Sequence, residues 1–422
     1  MTRARRAWTE RPDMRSMAWV TLLAIAVRWL CLPFALHVEP KFIGDIVSMN
    51  WQARLLVTDA AAARLIYPPV AYYTMALFQA VFDAFTPALP TALAGRQALL
   101  EWASSASVFR QLFFLKLWYL PFDLGTALVL WRLFDGERRK ARMAATFWLL
   151  NPVVVYGAYF HGQFDVVPAF FVVLAIYLAR THRTTGTLLC LGIAACYKSY
   201  PLLLAPPAVL ALERTWRRRF ALLLIGTVPF VALMLPHLGR SQASLSQYGE
   251  WFFRGGYSLG LGAQVYTFFV FYGALLVWQL VQPRAPGYSQ LWRVSLAMLL
   301  VYYQFSYFDL HYWIWIAPLI AIYLVECRPT SALLTGIIGG CLIVLTMPTP
   351  VGRFLAPISP RFFVRLPSPL EIINAAIPGL LFVNVVRSLL AGVCFYLAYV
   401  LLKNTQAVCG SAPMCEIGSE AE

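Results

Sequence analysis

Long apolar segments separated by short polar ones run along most of the chain. The first covers residues 17–36; it follows a basic segment at 1–16 and precedes a polar interruption that contains Asp45. A helix of about 20 apolar residues crosses the hydrocarbon core of a membrane. The other candidate spans lie at 109–134, 143–160, 166–180, 186–198, 201–213, 219–236, 264–282, 293–308, 311–326, 331–347 and 376–403. The pattern predicts an all-α polytopic membrane protein with about twelve transmembrane helices.

Segment 69–86 decides the predicted orientation. It is long enough for a short crossing, but a crossing would put the basic run 136–142 outside, against the tendency of Lys and Arg to stay in the cytosol. Gln79 and Asp83 within it also suit a helix that lies at the membrane interface. We therefore predict one large outer loop, 37–108, that contains interfacial helices. The predicted units are a cytosolic basic tail at 1–16, a single transmembrane domain at 17–403 and a disordered cytosolic tail at 404–422.

Two consecutive apolar pieces are shorter than a full crossing. Segments 186–198 and 201–213 have about 13 residues each, and a crossing needs roughly 17–25. They predict a broken or re-entrant hairpin, which is tolerated where it is buried in protein or lines a cavity. Lys198 lies at the break with apolar neighbours on both sides, so its ammonium group is expected to bind an anion.

Composition excludes a separate soluble domain and gives no reason to expect nucleic-acid binding. Of the 422 residues, 60% are hydrophobic and only 13% are charged, against about 25% charged in a soluble domain. The net charge of +15 comes from short basic runs between apolar segments, which is typical of membrane orientation. The eight cysteines are scattered, so neither disulfides nor zinc are expected. Short cytosolic loops and the lack of an Asn-x-Ser/Thr sequence favour a bacterial cell membrane, with the endoplasmic reticulum as the alternative.

Polar groups at the predicted outer ends of the spans mark a candidate site, because such groups are costly in a membrane and are usually functional. Asp45 is the first, although it could simply cap the helix that begins near Ile46. Three more come from one very short turn between two spans. A lone histidine is more often structural, and aromatic residues are common at interfaces without a function. The candidates are Asp45, His161, Gln163, Asp165, Lys198, Arg254, His311 with the nearby Asp309, and Tyr312.

Basic groups beside acids at one membrane face suit the transfer of a sugar from a lipid phosphate. Lys, Arg or His can hold the phosphodiester and stabilise it as it leaves, and a carboxylate can take the proton of the attacking hydroxyl. That carboxylate has to be ionised at neutral pH. It is therefore expected at the outer surface rather than in the apolar interior.

The order of several short motifs resembles the GT-C superfamily of polyprenyl-phosphate-sugar-dependent glycosyltransferases. The likeness is to bacterial membrane mannosyltransferases, the mannosyltransferase of the GPI-anchor pathway and the dolichyl-phosphate-glucose glucosyltransferases. It covers about residues 20–215 well and 295–326 loosely. The motifs are Asp45 with YPPVAY at 67–72, LLNP at 149–152 with HGQFD at 161–165, KSYP at 198–201 with PP at 206–207, and HYWIW at 311–315.

The resemblance implies a GT-C-like helical bundle in which an acid of the first outer loop is the catalytic base. By position this acid is Asp45, and Tyr67 of the following motif becomes a further candidate for substrate binding. The superfamily often has an Asp-x-Asp or Glu-Asp pair, but here Asp45 is flanked by Gly44 and Ile46. We therefore expect a mechanism without a metal.

The resulting hypothesis is an integral membrane hexosyltransferase that inverts the sugar. It would move mannose or glucose from a polyprenyl-phosphate donor to a lipid-linked or polymeric glycan acceptor on the non-cytosolic face. Lys198, His311 and Arg254 would hold the donor phosphate, and the groups at 161–165 would shape the pocket. The expected partners are the bilayer, the donor and the acceptor, with no nucleic acid and no cofactor.

A membrane transporter or flippase for a lipid-linked or small polar substrate is the alternative. Intramembrane acids and a broken helix that carries a lysine also occur in transporters. Two observations count against it: no repeat relates the two halves of the sequence, and the polar groups gather at one predicted face. A non-catalytic scaffold is a further alternative without a positive sign in the sequence.

Overall fold

The computed structural model describes residues 2–34, 38–39, 42–43, 45–82, 105, 107–238, 256–260, 263–281, 287–305, 309–327, 330–345, 358–363, 365–376 and 378–404. Arg254, one of the predicted phosphate contacts, lies outside these residues. So do residues 83–104 of the predicted outer loop and the C-terminal tail at 405–422.

Helices form almost all of the described chain. In chain order they are α1 (Thr2–Cys31), α2 (Asp45–Thr58), α3 (Pro69–Val81), α4 (Ser107–Leu117), α5 (Tyr119–Leu133), α6 (Arg138–Leu149), α7 (Pro152–Val155), α8 (Val166–Arg180) and α9 (Thr184–Tyr197). They continue with α10 (Ala205–Leu212), α11 (Trp216–Met234), α12 (Thr267–Val281), α13 (Tyr288–Phe305), α14 (Trp313–Glu326), α15 (Thr330–Leu345), α16 (Pro360–Phe363), α17 (Pro369–Asn374) and α18 (Gly379–Asn404). A π-helix covers Tyr156–Phe160, and 3-10 turns cover Tyr200–Leu204, Leu235–His237 and Leu310–Tyr312.

The strands are confined to two short antiparallel hairpins among the described residues. β1 (Val38–Glu39) pairs with β2 (Phe42–Ile43), and Val38 lies opposite Ile43. β3 (Gly256–Gly260) pairs with β4 (Ala263–Tyr266). The described chain is therefore all-α in class, as the sequence predicts.

The length and composition of the apolar helices are consistent with a membrane protein. Two helical stretches in the described part, Trp216–His237 and Leu381–Lys403, are long and apolar enough to cross a membrane alone. Two bent pairs also qualify if each is one span: α4 with α5, bent by 42°, and α6 with Pro152–Phe160, bent by 40°. Several other apolar helices of the described part are only 10–17 residues long, so the number of twelve spans stays a prediction.

Prolines explain why two predicted spans are broken helices. The predicted span 109–134 is interrupted at Trp118, three residues before Pro121. Pro121 has no N–H to bond the carbonyl of Leu117 and its ring crowds that carbonyl, which ends α4. Pro152 occupies the first position of α7 in the same way, and the side chain of Asn151 accepts from the backbone N–H groups of Val153 and Val154 at 3.0 and 3.3 Å. The sequence allows this restart because Asn is a preferred cap.

The basic loops of the chain gather at one end of the bundle, here called the basic end. Lys140 lies 4.0 Å from Glu326 at the end of α14. The Arg180 guanidinium lies 5.4 Å from the ring centre of Tyr288, where α13 begins. The Gly287 N–H donates to the carbonyl of Ala211 at 2.8 Å. The ends of α8, α10 and α14 and the starts of α6 and α13 therefore lie together.

α3 belongs to the opposite end. Its Thr74 hydroxyl lies 3.2 Å from the Tyr197 hydroxyl at the end of α9, and Tyr73 lies 3.5 Å from His237 after α11. Gln79 donates to both the backbone and side-chain oxygens of Asn50 in α2 at 2.9 Å. These contacts keep α2 and α3 together at that end; that segment 69–86 does not cross the membrane stays a prediction.

A fully buried ion pair joins four helical elements in the core. Arg28 of α1 donates from Nε to Asp123 of α5 at 2.5 Å, and from Nη2 at 3.2 Å. Trp148 of α6 and Tyr159 of the π-helix donate to the same carboxylate, each at 2.8 Å. Four donors satisfy the carboxylate, so the pair is a fixed structural joint. Removal of one partner of such a pair typically costs about 3–5 kcal/mol.

Candidate active site opposite the basic end

Asp45 begins α2 and contacts a turn that is more than a hundred residues away in sequence. Its side chain is 39% exposed. Gln163 donates from Nε2 to Oδ2 of Asp45 at 2.5 Å, and Nε2 of His161 lies 3.7 Å from the same oxygen. A carboxylate in the first turn of a helix also interacts favourably with the helix dipole. Asp45 is thus a partly exposed acid held by an amide and faced by an imidazole.

Gly162 lets the turn approach the start of α2. Its φ of +79° lies in the left-handed region that favours glycine. A Cβ at this position would lie 2.7 Å from Cβ of Ile46, which leaves no room for any other residue. The Tyr119 hydroxyl of α5 donates to the Gly162 carbonyl at 2.9 Å. These contacts fix the position of Gln163 relative to Asp45.

The π-helix at Tyr156–Phe160 sets the position of His161. The His161 N–H donates to the carbonyl of Tyr156 at 2.8 Å, five residues back. Lys116 of α4 is fully buried, and its ammonium group donates to the carbonyls of Tyr159, at 2.5 Å, and of Phe34. π-helical turns occur frequently at functional sites because they displace the following residues. Here the displaced residue is a candidate site residue.

Asp165 and Lys198 form a buried ion pair beneath this turn. Lys198 Nζ lies 2.6 Å from Oδ1 of Asp165, and the side chains are 3% and 0% exposed. The Trp315 indole N–H also donates to Oδ1 at 2.9 Å. The ammonium group is further surrounded by aromatic rings at 5.0–5.8 Å, which belong to Tyr67, Phe164, Tyr312 and Trp315. The anion that the sequence predicts for Lys198 is, in this structure, Asp165.

His311 lies between two acidic side chains of the site, Asp165 and Asp309. Its ring stacks on that of His161, with the centres 4.7 Å apart. Nε2 lies 3.8 Å from Oδ2 of Asp165, and Nδ1 lies 3.4 Å from Oδ1 of Asp309. Gly157 of the π-helix permits this packing, because a Cβ there would lie 3.1 Å from Cα of His311. One connected cluster therefore extends from Asp45 to Lys198.

The charges keep the carboxylates at the opening ionised. Burial raises the pKa of Asp45, but the imidazole of His161 and the charge of His311 outweigh burial and hold that pKa below its usual value. The pKa of Asp309 is lowered in the same manner, by His311 and His161 against burial. Burial lowers the pKa of His161, but Asp45 and Asp309 outweigh it and raise that pKa above its usual value. Asp45 is thus negatively charged at neutral pH and beside a histidine that protonates readily.

The chain is similar to GPI mannosyltransferase 1 of the yeast Kluyveromyces lactis, with 27% identity over 126 residues. The match covers 29% of this chain and 31% of the yeast protein, so the chain spans less than a third of the length of that curated relative. No family model matches the chain.

The structure brings together all of the predicted site residues that it describes; Arg254 lies outside the described residues. Tyr67 contributes its ring beside Lys198, 5.0 Å from Nζ, and Tyr312 stacks on Trp315 with ring centres 4.2 Å apart. Asp45, His161, Gln163, Asp165, Lys198 and His311 form the connected polar cluster. Their roles stay predictions.

Sequence reasoning missed two side chains of this site, whereas Asp309 was already recognised beside His311. Trp315 was attributed to an interfacial girdle, yet its indole N–H holds Asp165. Lys116 carried no signal, because a single lysine in an apolar helix has no pattern that specifies which carbonyls it reaches.

Proposed function

We propose that this protein is a membrane glycosyltransferase of the GT-C type. It moves a hexose, mannose or glucose, from a polyprenyl-phosphate donor to a lipid-linked or polymeric glycan acceptor on the non-cytosolic face. The observation that carries the proposal is Asp45: an ionised, partly exposed carboxylate within 3.7 Å of a histidine and connected to a buried lysine. The similarity to a yeast mannosyltransferase supports the same reaction class.

The proposed reaction is a single displacement that inverts the sugar. The acceptor hydroxyl oxygen forms a bond to C1 of the sugar as the bond from C1 to the phosphate oxygen breaks. Asp45 takes the hydroxyl proton, and the polyprenyl phosphate leaves with the electron pair of the broken bond. A base of this kind contributes about 10²–10⁴-fold to the rate.

The remaining residues of the cluster have proposed roles in binding. His311 and Lys198 lie around Asp165 and would stabilise the donor phosphate, together with Arg254. Lys198 is already paired with Asp165, so it would act on the phosphate mainly through its fixed positive charge. Gln163 orients Asp45, and His161, Asp165, Tyr67 and Tyr312 would line the sugar and acceptor pocket.

Transfer and transport can be separated by one pair of assays. Membranes that contain the protein are incubated with a polyprenyl-phosphate sugar labelled in the sugar, and labelled product is separated from donor by chromatography. Sealed vesicles with the same protein are tested for movement of the intact donor between leaflets. The proposal predicts new glycosidic product. Donor movement without any product would support the transporter alternative, which the buried Asp165–Lys198 pair at a break between helices would then explain.

A further inference from the structure

Three side chains at the opening of the site point to a metal ion. His161, Asp309 and His311 each offer one ligand atom, and these atoms lie within 4.8 Å of one another. We propose that these three residues bind a divalent transition-metal ion. The sequence predicts a mechanism without a metal, because Asp45 has no acidic neighbour, and it does not relate positions 161, 309 and 311. The fold alone brings them together.

His311 supplies a second and independent observation. Its side chain is 5% exposed, and neither ring nitrogen makes a hydrogen bond to any described residue. Buried polar groups are nearly always hydrogen-bonded, and an unpaired one costs about 1–3 kcal/mol. The nearest oxygens, at 3.4 Å on Asp309 and 3.8 Å on Asp165, exceed normal N–H···O distances. A metal ion bound to the lone pair of a ring nitrogen would account for the missing hydrogen bonds of His311.

The charge of the cluster also favours a cation. Asp45, Asp165 and Asp309 supply three negative charges, and Lys198 supplies one positive charge. When both imidazoles are neutral, as metal ligands must be, the net charge of these side chains is −2. One divalent ion neutralises it.

The donor set selects the type of ion. Two imidazole nitrogens and one carboxylate oxygen suit Zn²⁺, Mn²⁺, Fe²⁺ or Co²⁺, whereas Mg²⁺ and Ca²⁺ prefer oxygen ligands alone. Ligand bonds of about 2.1 Å place tetrahedral ligand atoms about 3.4 Å apart. His161 is 21% exposed, so its side chain can rotate without disturbing the core. Such a rotation can shorten the distance from its ring nitrogen to the ligand atoms of Asp309 and His311. Three protein ligands leave positions open, as in catalytic rather than structural sites.

The test measures bound metal and does not depend on the transfer reaction. The full-length protein is purified in detergent, stripped with a chelator, and titrated with Zn²⁺, Mn²⁺ or Mg²⁺, and bound metal is measured by mass spectrometry. About one Zn²⁺ or Mn²⁺ should bind per chain. Asp309→Asn and His311→Ala should each weaken that binding by about tenfold or more. His182→Asn is the matched control, since His182 is exposed in the loop between α8 and α9 and Asn tolerates its φ of +59°.

A spectroscopic measurement on the unaltered protein covers the case in which a variant fails to fold. Pulsed electron paramagnetic resonance of the Mn²⁺-loaded protein should show coupling to imidazole nitrogen. Three results would overturn the proposal: no binding of Zn²⁺ or Mn²⁺, binding that survives both Asp309→Asn and His311→Ala, or bound Mn²⁺ without nitrogen coupling.

Discussion

At the scale of single residues, the site depends on a glycine as much as on its ionisable groups. Asp45 receives its hydrogen bond from Gln163 only because the residue between Gln163 and His161 has no side chain. Gly162 combines a left-handed φ with a contact of 2.7 Å between a hypothetical Cβ and Ile46. A larger residue would push the turn away from α2 and lengthen the distance between Gln163 and Asp45.

Gly162→Ala should therefore reduce both stability and sugar transfer. The left-handed conformation costs a non-glycine residue about 1–2 kcal/mol, and the contact with Ile46 adds to that cost. Gly136→Ala is the matched control: its φ is +93°, but a Cβ there would meet nothing within 4 Å. Thermal unfolding in detergent should show a larger loss for Gly162→Ala than for Gly136→Ala, and only Gly162→Ala should slow transfer. Equal effects on both measurements would show that the contact with Ile46 is unimportant.

Residue type and order along the chain indicated most of this site, but not its connections. Acidic and basic groups at the ends of apolar segments were recognisable because such groups are costly in a membrane. The pairing of Lys198 with Asp165 could not be recognised in the sequence, because it depends on how α8 packs against α9. The role of Trp315 was not recognised for the same reason: a sequence does not show which indole N–H points inward.

At the scale of elements, breaks in helices position the site. α4 ends before Pro121, α7 restarts at Pro152, and the π-helix at Tyr156–Phe160 ends just before His161. The sequence predicted continuous spans at 109–134 and 143–160. The prolines gave a signal for both breaks, but the π-helix has no comparable sequence signature. Its geometry is fixed by tertiary contacts, among them the ammonium group of Lys116.

Lys116→Met should slow transfer by about 10–100-fold, since a misplacement of about 1 Å can cost 10²-fold. The buried ammonium group holds the carbonyls of Tyr159 and Phe34, and methionine keeps the volume but loses both hydrogen bonds. Arg110→Met is the control, because Arg110 is an exposed cation on the same helix. The measurements are kcat and KM, with thermal unfolding to confirm that both variants are folded. A folded Lys116→Met variant with unchanged kcat would exclude a positioning role for Lys116.

At the scale of the whole molecule, the candidate site and the basic loops lie at opposite ends of the bundle. Lys140, Arg180 and Ala211 contact partners at the basic end, whereas α2 and α3 pack near Lys198. The positive-inside tendency predicts that the basic end faces the cytosol. The sequence supports this orientation through the positions of Lys and Arg. It does not establish the number of spans, because several apolar helices here are too short to cross alone.

The orientation predicts which loops are accessible from outside an intact cell. An epitope inserted after Glu137, in the basic run, should be protected from an added protease. An epitope inserted after Ala60, between α2 and α3, should be cleaved. Both should be cleaved after the membrane is permeabilised, which controls for folding. Cleavage of the epitope after Glu137 in intact cells would show that the basic end faces outward. The candidate site at the opposite end would then lie on the cytosolic side, which contradicts the proposed orientation.

The most direct test of the account is sugar transfer by the Asp45→Asn variant. Asparagine keeps the size of the side chain but cannot take a proton. Asp59→Asn is the matched control, since Asp59 is an exposed acid just after α2. With a polyprenyl-phosphate sugar as donor and equal amounts of protein in the membrane, Asp45→Asn should transfer about 10²–10⁴-fold more slowly than the unaltered protein, and Asp59→Asn should transfer at the unaltered rate. Transfer by Asp45→Asn at the unaltered rate would contradict the central claim that Asp45 is the base.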